Sequence, residues 1–242
     1  MTRAHWIFLV AGGALLIGLR HRVAAVIGGL AQKSGPRRTI EERLAQYGPV
    51  ARARWQPYFA RAQIAYPARG VILVGIKDEQ RFEVYATASA AGSPRFIRSY
   101  PILAASGKAG PKLKEGDRQV PEGLYQIESL NPNSRFHLSL RVNYPNAFDR
   151  QQAERDGRTG LGGDIMIHGN AVSIGCLAMG DEAAEDLFVL AADTGLANLQ
   201  VILTPVDFRS GKTLPATVTL PPWTDSLYAS IRAELARLPA RP

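Results

Sequence analysis

From Val71 onward, short runs of β-branched, aromatic and aliphatic residues recur with a period of two, broken by turn-forming residues. No other feature restricts the fold as much, because a period of two places alternate side chains on opposite faces of a strand. "VILVGI" and "RFEVYATA" flank Asp78-Glu79-Gln80 as the arms of a hairpin. "RFIRSYPILAASG" reads as a further strand, and Pro121 and Gly123 set a tight turn into a strand at Leu124 to Glu128. Phe136, Leu138, Leu140 and Val142 alternate strictly, which predicts a half-buried strand with His137 on its solvent side. "DIMIHG" and "LQVILTP" read as two more buried strands. The expected fold class is therefore mainly β with flanking helices.

The helices have their own signals. Thr39 with Glu42 has capping-box spacing, and Gly48-Pro49 is expected to break the following stretch into two short helices. Residues 181–195 read as a helix with Asp181 as N-cap and Gly195 as stop. Leu227, Ile231, Leu235 and Leu238 share one face of an amphipathic helix near the C-terminus.

Before residue 39 the pattern is of another kind. Arg3 precedes fourteen uncharged residues, Trp6 to Leu19; Arg20, His21 and Arg22 follow, and then Val23 to Ala31 is apolar again. This fits either an export signal peptide or an uncleaved N-terminal membrane anchor, with "SGPRR" as a linker to the domain that follows. Either form places the remainder in the periplasm or cell envelope. Net charge is +8, but the basic residues are spread from Arg3 to Arg241 with no aromatic-interleaved stripe, so nucleic acid is not an expected partner. Attraction to an anionic polymer or membrane surface is.

"DIMIHGNAVSIGCLAMGD", residues 164–181, holds the only cysteine and one of four histidines. An unpaired thiol in an oxidising compartment needs a reason to persist. Too few ligands accompany it for zinc, and no metal is expected. Cys176 as nucleophile and His168 as its base satisfy the chemistry of a thiol that must lose its proton near neutral pH. The bland alternative is a buried, inert thiol with a structural histidine. Gly169 and Gly175 bracket the segment, and the amides at Gly175 and Cys176 are candidate oxyanion donors.

"IMIHGNAVSIGCLAM" resembles the active-site segment of the L,D-transpeptidase catalytic (YkuD-like) family, in particular its YafK-like murein branch, I-H-G followed by S-x-G-C-x-A-M. "GPKLKEGDRQVPEGLY", "LSLRVNYPNAFD" and "YPARGVILVGIKDEQRFEVYA" are similar to other segments of that branch, so the likeness runs over about residues 40–205. It implies a β-rich, β-sandwich fold, Cys176 as nucleophile, His168 as base, and Ser173, Gly175 and the Cys176 amide around the oxyanion. Gly169 and Arg118 match motif positions, Arg118 as a substrate contact and Gly169 more for structure; Asp117 is a turn former or a contact, and Lys112 and Lys114 are expected to be solvated. The implied donor is a peptidoglycan stem peptide, attacked at the L-centre of its third, diamino-acid residue to give a thioester, with no cofactor. The acceptor is an amine of another stem, a wall-linked lipoprotein's terminal lysine, or water. Ile174 stands where the wider family has histidine, and Ala178 where a polar residue is common. Three functions follow from this: L,D-transpeptidase, a peptidoglycan–lipoprotein amidase using the same Cys/His pair, or a non-catalytic wall-binding module. The expected organisation is 1–31 signal or anchor, 32–39 linker, 40–208 catalytic domain and 209–242 a helical extension packed on it.

Overall fold

The computed structural model describes residues 36–89, 92–214 and 217–240. The expected signal or anchor at 1–31, and most of the linker, lie outside the described residues. Among the described residues no helix is long and apolar enough to cross a membrane.

Among the described residues nine strands form one sheet: β1 (Gly70–Ile76), β2 (Arg81–Thr87), β3 (Arg95–Pro101), β4 (Ala104–Ala105), β5 (Gly123–Ser134), β6 (His137–Val142), β7 (Met166–His168), β8 (Leu177–Ala178) and β9 (Leu199–Thr204). Their spatial order is β3-β2-β1-β9-β5-β6-β7-β8-β4. Flanking them, among the described residues, are the helices α1 (Ile40–Arg61), α2 (Ala147–Arg155), α3 (Asp181–Thr194) and α4 (Thr224–Ala236). The fold is thus mainly β with flanking helices, as the alternation requires.

Strand β5 joins the two halves of the sheet. Residues Gly123 to Gln126 pair with β9, while Ile127 to Ser134 pair with β6. It runs past Glu128, the expected end, because its second half gains β6 as a partner. Val71, Leu73 and Phe82 from one half share a single apolar cluster with Leu138, Leu140, Ile167 and Leu177 from the other. The sandwich is therefore one sheet whose halves close on a common core. On the opposite face of β1, Val74 and Ile76 pack with Ile202 against Leu227, Ile231 and Leu235 of α4. Each such fully buried aliphatic side chain contributes roughly 1.5–3 kcal/mol.

Helix α1 corrects the expected break at Gly48-Pro49: it is continuous through Pro49 and Pro57. Each interior proline costs about 3 kcal/mol. Tertiary contacts offset this. Trp55 and Phe59 are buried, and the Trp55 indole N–H donates to the Asp186 carbonyl at 2.9 Å. Arg52 binds Asp193 through two bonds of 2.7 Å, and the Arg54 guanidinium reaches Asp186 at 2.6 Å. Thr39 and Glu42 close the expected capping box. Helix α2 has no apolar stripe; Asn146 and Asp149 cap it reciprocally.

Candidate active site

His168 ends β7 and Cys176 immediately precedes β8. The two strands run parallel, with Ile167 beside Leu177 and His168 beside Ala178. Continuing that register by one residue sets Cys176 beside Met166, and the Met166 N–H indeed donates to the Cys176 sulfur at 3.3 Å. Met166 and His168, two apart on β7, share one face of that strand, and the Cys176 sulfur lies against its Met166 end. The intervening turn is held at its base. The Met179 N–H donates to the His168 carbonyl at 2.8 Å, and the Gly180 N–H to the Asn170 carbonyl at 2.9 Å.

Asp181 was expected to cap α3. The N-cap is instead Gly180, and the Asp181 carboxylate accepts the Asn170 N–H at 2.7 Å. The first residue of the helix thus fastens the turn rather than the helix end. Gly169 sits where this fastening is tightest: a Cβ there would lie 2.6 Å from Asp181 Oδ1 and 2.8 Å from the Phe136 carbonyl. Only glycine fits without displacing backbone.

The His168 side chain is almost fully buried. Its Nδ1 lies 2.6 Å from the Gly169 carbonyl. A carbonyl only accepts, so Nδ1 carries the proton and Nε2 keeps its lone pair. Phe136 stacks on the ring, with centroids 4.7 Å apart and planes 27° from parallel. Burial holds the imidazole below its ordinary basicity, partly opposed by the Gly169 bond. His168 is therefore an uncharged base in its resting form.

The Cys176 thiol is half-buried. Besides the Met166 N–H, its sulfur contacts the Asp164 carbonyl at 3.5 Å, and no hydrogen bond runs directly to the imidazole. Burial pushes the thiol up; the Met166 N–H and the Lys112 charge oppose this, and the Asp164 carboxylate adds to it. Thiol and imidazole are thus both neutral at rest, a state from which sulfur could act as a nucleophile only by giving up its proton in the same step.

The amides expected to hold an oxyanion are already engaged. The Cys176 N–H donates to Ser173 Oγ at 3.1 Å, and that hydroxyl donates to the Cys176 carbonyl at 2.7 Å. The Gly175 N–H donates to Ser106 Oγ at 2.6 Å. Gly175 has φ of +85°, a conformation that side chains strongly disfavour. An oxyanion at this position would have to displace one of the two hydroxyls from its amide.

Ser106 lies 69 residues from Gly175, and no motif in the sequence marks it. Its hydroxyl donates to the Arg118 carbonyl at 2.7 Å. Arg118 therefore enters the network through its backbone, while its side chain is exposed. The segment carrying both residues is fixed from within. Asp117 accepts from the Leu113, Lys114 and Gln119 amides and from Lys112. Lys112, expected to be solvated, is instead buried, with that ion pair and the Tyr144 ring replacing water. Lys77 reaches in from the end of β1 to bind Glu122 at 2.8 Å and the Lys108 carbonyl at 2.7 Å. His137, expected to face solvent, has φ of +72°, binds Glu185 at 3.0 Å and meets the Tyr47 ring edge-on. The positive φ turns it off the alternating face, toward α1 and α3.

A sequence model of the YkuD family, the L,D-transpeptidase catalytic domain, matches residues 69–206. The YafK protein of Escherichia coli (strain K12) is 32% identical over 134 residues, which is 53% of this chain and 51% of that protein. The YafK protein of Escherichia coli O157:H7 matches to the same extent. The chain thus spans about half the length of the curated relatives it matches. Among solved structures, the helical cell shape determining protein Pgp2 from Campylobacter jejuni is 24% identical with a TM-score of 0.45, over 55% of this chain and 47% of that one. Mycobacterium tuberculosis L,D-transpeptidase 1 is 17% identical with a TM-score of 0.32, over 56% and 62%.

Proposed function

This chain belongs to the L,D-transpeptidase catalytic domain (YkuD) family, and on that premise we propose that it is a cysteine acyltransferase acting on peptidoglycan stem peptides in the cell envelope. One observation supports this above the rest. A half-exposed thiol just before β8 lies against β7, the neighbouring strand that ends in a buried imidazole with a fixed tautomer.

The sulfur attacks the acyl carbon at the L-centre of the third, diamino-acid residue. His168 Nε2 takes the thiol proton as the C–S bond forms, which answers the raised thiol basicity without a resting ion pair. The tetrahedral oxyanion takes the Gly175 or Cys176 amide from its serine. Collapse expels the amine leaving group, which leaves with the proton held by the imidazolium. An acceptor amine then attacks the thioester, His168 again moving the proton. Water in that place makes the product a free acid, and a lipoprotein-linked stem as donor makes the enzyme an amidase. Residues 1–31 as leader or anchor, residues 40–208 as the catalytic unit and a cell-wall location belong to the same proposal.

Digestion of purified sacculi, with products identified by mass, tests the reading. New cross-links, released D-alanine or freed lipoprotein, all absent with Cys176→Ala, support acyl transfer. Sacculi left unchanged by the folded wild type overturn it in favour of a wall-binding module.

A further inference from the structure

Strand β6 sets two polar residues beside β7. Arg141 lies opposite Met166 and Ser139 opposite His168, whereas Leu140 and Ile167 between them are buried in the core. Residues paired directly across an antiparallel ladder project to the same side. Arg141 therefore shares the face of β7 that carries His168. One residue links its guanidinium to the sulfur. The Asp164 carboxylate lies 3.0 Å from Arg141 Nη1, and the Asp164 carbonyl lies 3.5 Å from Cys176 Sγ. Arg141 Nε lies 3.1 Å from the Glu128 carboxylate, yet that buried N–H has no aligned hydrogen bond. Both carboxylates are mostly in water, with 79% of the Asp164 side chain and 54% of the Glu128 side chain exposed. Ion pairs this exposed are weak and exchange readily. The Arg141 side chain is itself 39% exposed, so an incoming anion can reach it.

We infer that Arg141 is a specificity-determining residue that binds a second carboxylate, at the far end of the donor's diamino-acid side chain. This assignment rests on the functional reading above. The imidazole that takes the thiol proton lies on the Arg141 side of the sheet, so the donor approaches the sulfur from that side. The acyl carbon bonded to Cys176 carries the third residue's side chain. A side chain of diaminopimelate length reaches roughly 7 Å from that carbon when extended, enough to pass one residue and meet a group held by Asp164. A planar guanidinium binds a carboxylate by donating two parallel hydrogen bonds, a match that a carboxamide does not reproduce. The donor's carboxylate displaces that of Glu128 and supplies the aligned acceptor that the Nε N–H lacks.

The test uses the full chain and two disaccharide-tetrapeptide muropeptides. Both carry meso-diaminopimelate as third residue, one with its side-chain carboxylate free and one with it as the carboxamide. The kcat/KM for donor consumption is measured for each, and the ratio is taken within each protein, so the folded fraction cancels. Wild type should prefer the free carboxylate by about tenfold. Arg141→Met should bring the ratio close to one, Arg141→Lys should keep part of the preference, and Glu128→Gln, which removes a competing carboxylate, should raise it. Equal use of both donors by wild type, or a wild-type ratio in Arg141→Met, overturns the assignment. Absence of any Cys176-dependent donor consumption overturns the functional reading itself, and the role of Arg141 with it.

Discussion

Ser106 and Gly175 are joined by a 2.6 Å hydrogen bond from the Gly175 amide to the serine hydroxyl, which ties the Cys176 turn to a segment 69 residues earlier in the chain. That hydroxyl in turn donates to the Arg118 carbonyl. The segment itself is anchored through Glu122, which binds Lys77 at 2.8 Å and the Tyr228 hydroxyl of α4 at 2.7 Å. The geometry at Cys176 therefore depends on a buried polar scaffold as well as on the sheet.

Removing the hydroxyl should loosen the turn without unfolding the protein. Ser106→Ala is expected to slow acylation of Cys176 by about three- to tenfold, the worth of one modest hydrogen bond. Ser106→Thr keeps the hydroxyl and should recover most of the rate. Single-turnover mass measurement of the acyl-enzyme checks both, and an Ala variant as fast as wild type denies Ser106 a positioning role.

The pH profile follows from the two neutral groups. His168 acts as base only when unprotonated, and burial lowers its pKa from the ordinary 6.5. Acylation should rise with pH through a midpoint below that value and then stay level, since the thiol's own ionisation lies above 9.0. A bell-shaped kcat/KM profile, falling again as an imidazolium loses its proton, would indicate a preformed thiolate–imidazolium pair instead.

Asp149 links stability to pH in the opposite sense from a salt-bridged carboxylate. Burial raises its pKa from 3.8 to about 6, against the Asn146 N–H and Tyr125 hydroxyl that favour its charge. An acid that binds its proton more tightly when folded favours folding while protonated. Its contribution is present below 3.8 and is lost as pH rises through 6. Denaturant midpoints for wild type should carry this fall between pH 4 and 7, and Asp149→Asn should flatten it; identical curves would contradict the assignment.

Helix α1 is predicted to be held by its buried face. Trp55→Ala should cost about 3–5 kcal/mol in denaturant unfolding, by cavity formation and loss of the bond to Asp186. A cost under about 1 kcal/mol would mean that the helix is not integral to the core.

Most of the sheet was legible because period-two patterns survive in short segments, and the position of His168 at a strand end with Cys176 beyond a short turn because both residues lie in one contiguous segment. What escaped were properties set by distant partners. Continuity of α1 through Pro49 depends on Trp55 and Phe59 meeting a core built from the strands. Helix α2 lacks an apolar stripe, although Asn146 and Asp149 three residues apart were a readable cap. The burial of Lys112 and the turning of His137 follow from Asp117, Tyr144 and Glu185, none of which alternation identifies. Ser106 and Phe136 reach the site from 69 and 32 residues away, where local pattern carries no information.

The most direct measurement is the intact mass of the protein after brief exposure to muropeptide donor, with peptide mapping of the adduct. The account predicts a single acyl addition on Cys176, lost in Cys176→Ala and formed far more slowly in His168→Ala. Formation at an equal rate in His168→Ala, or no addition to the folded wild type, would contradict it.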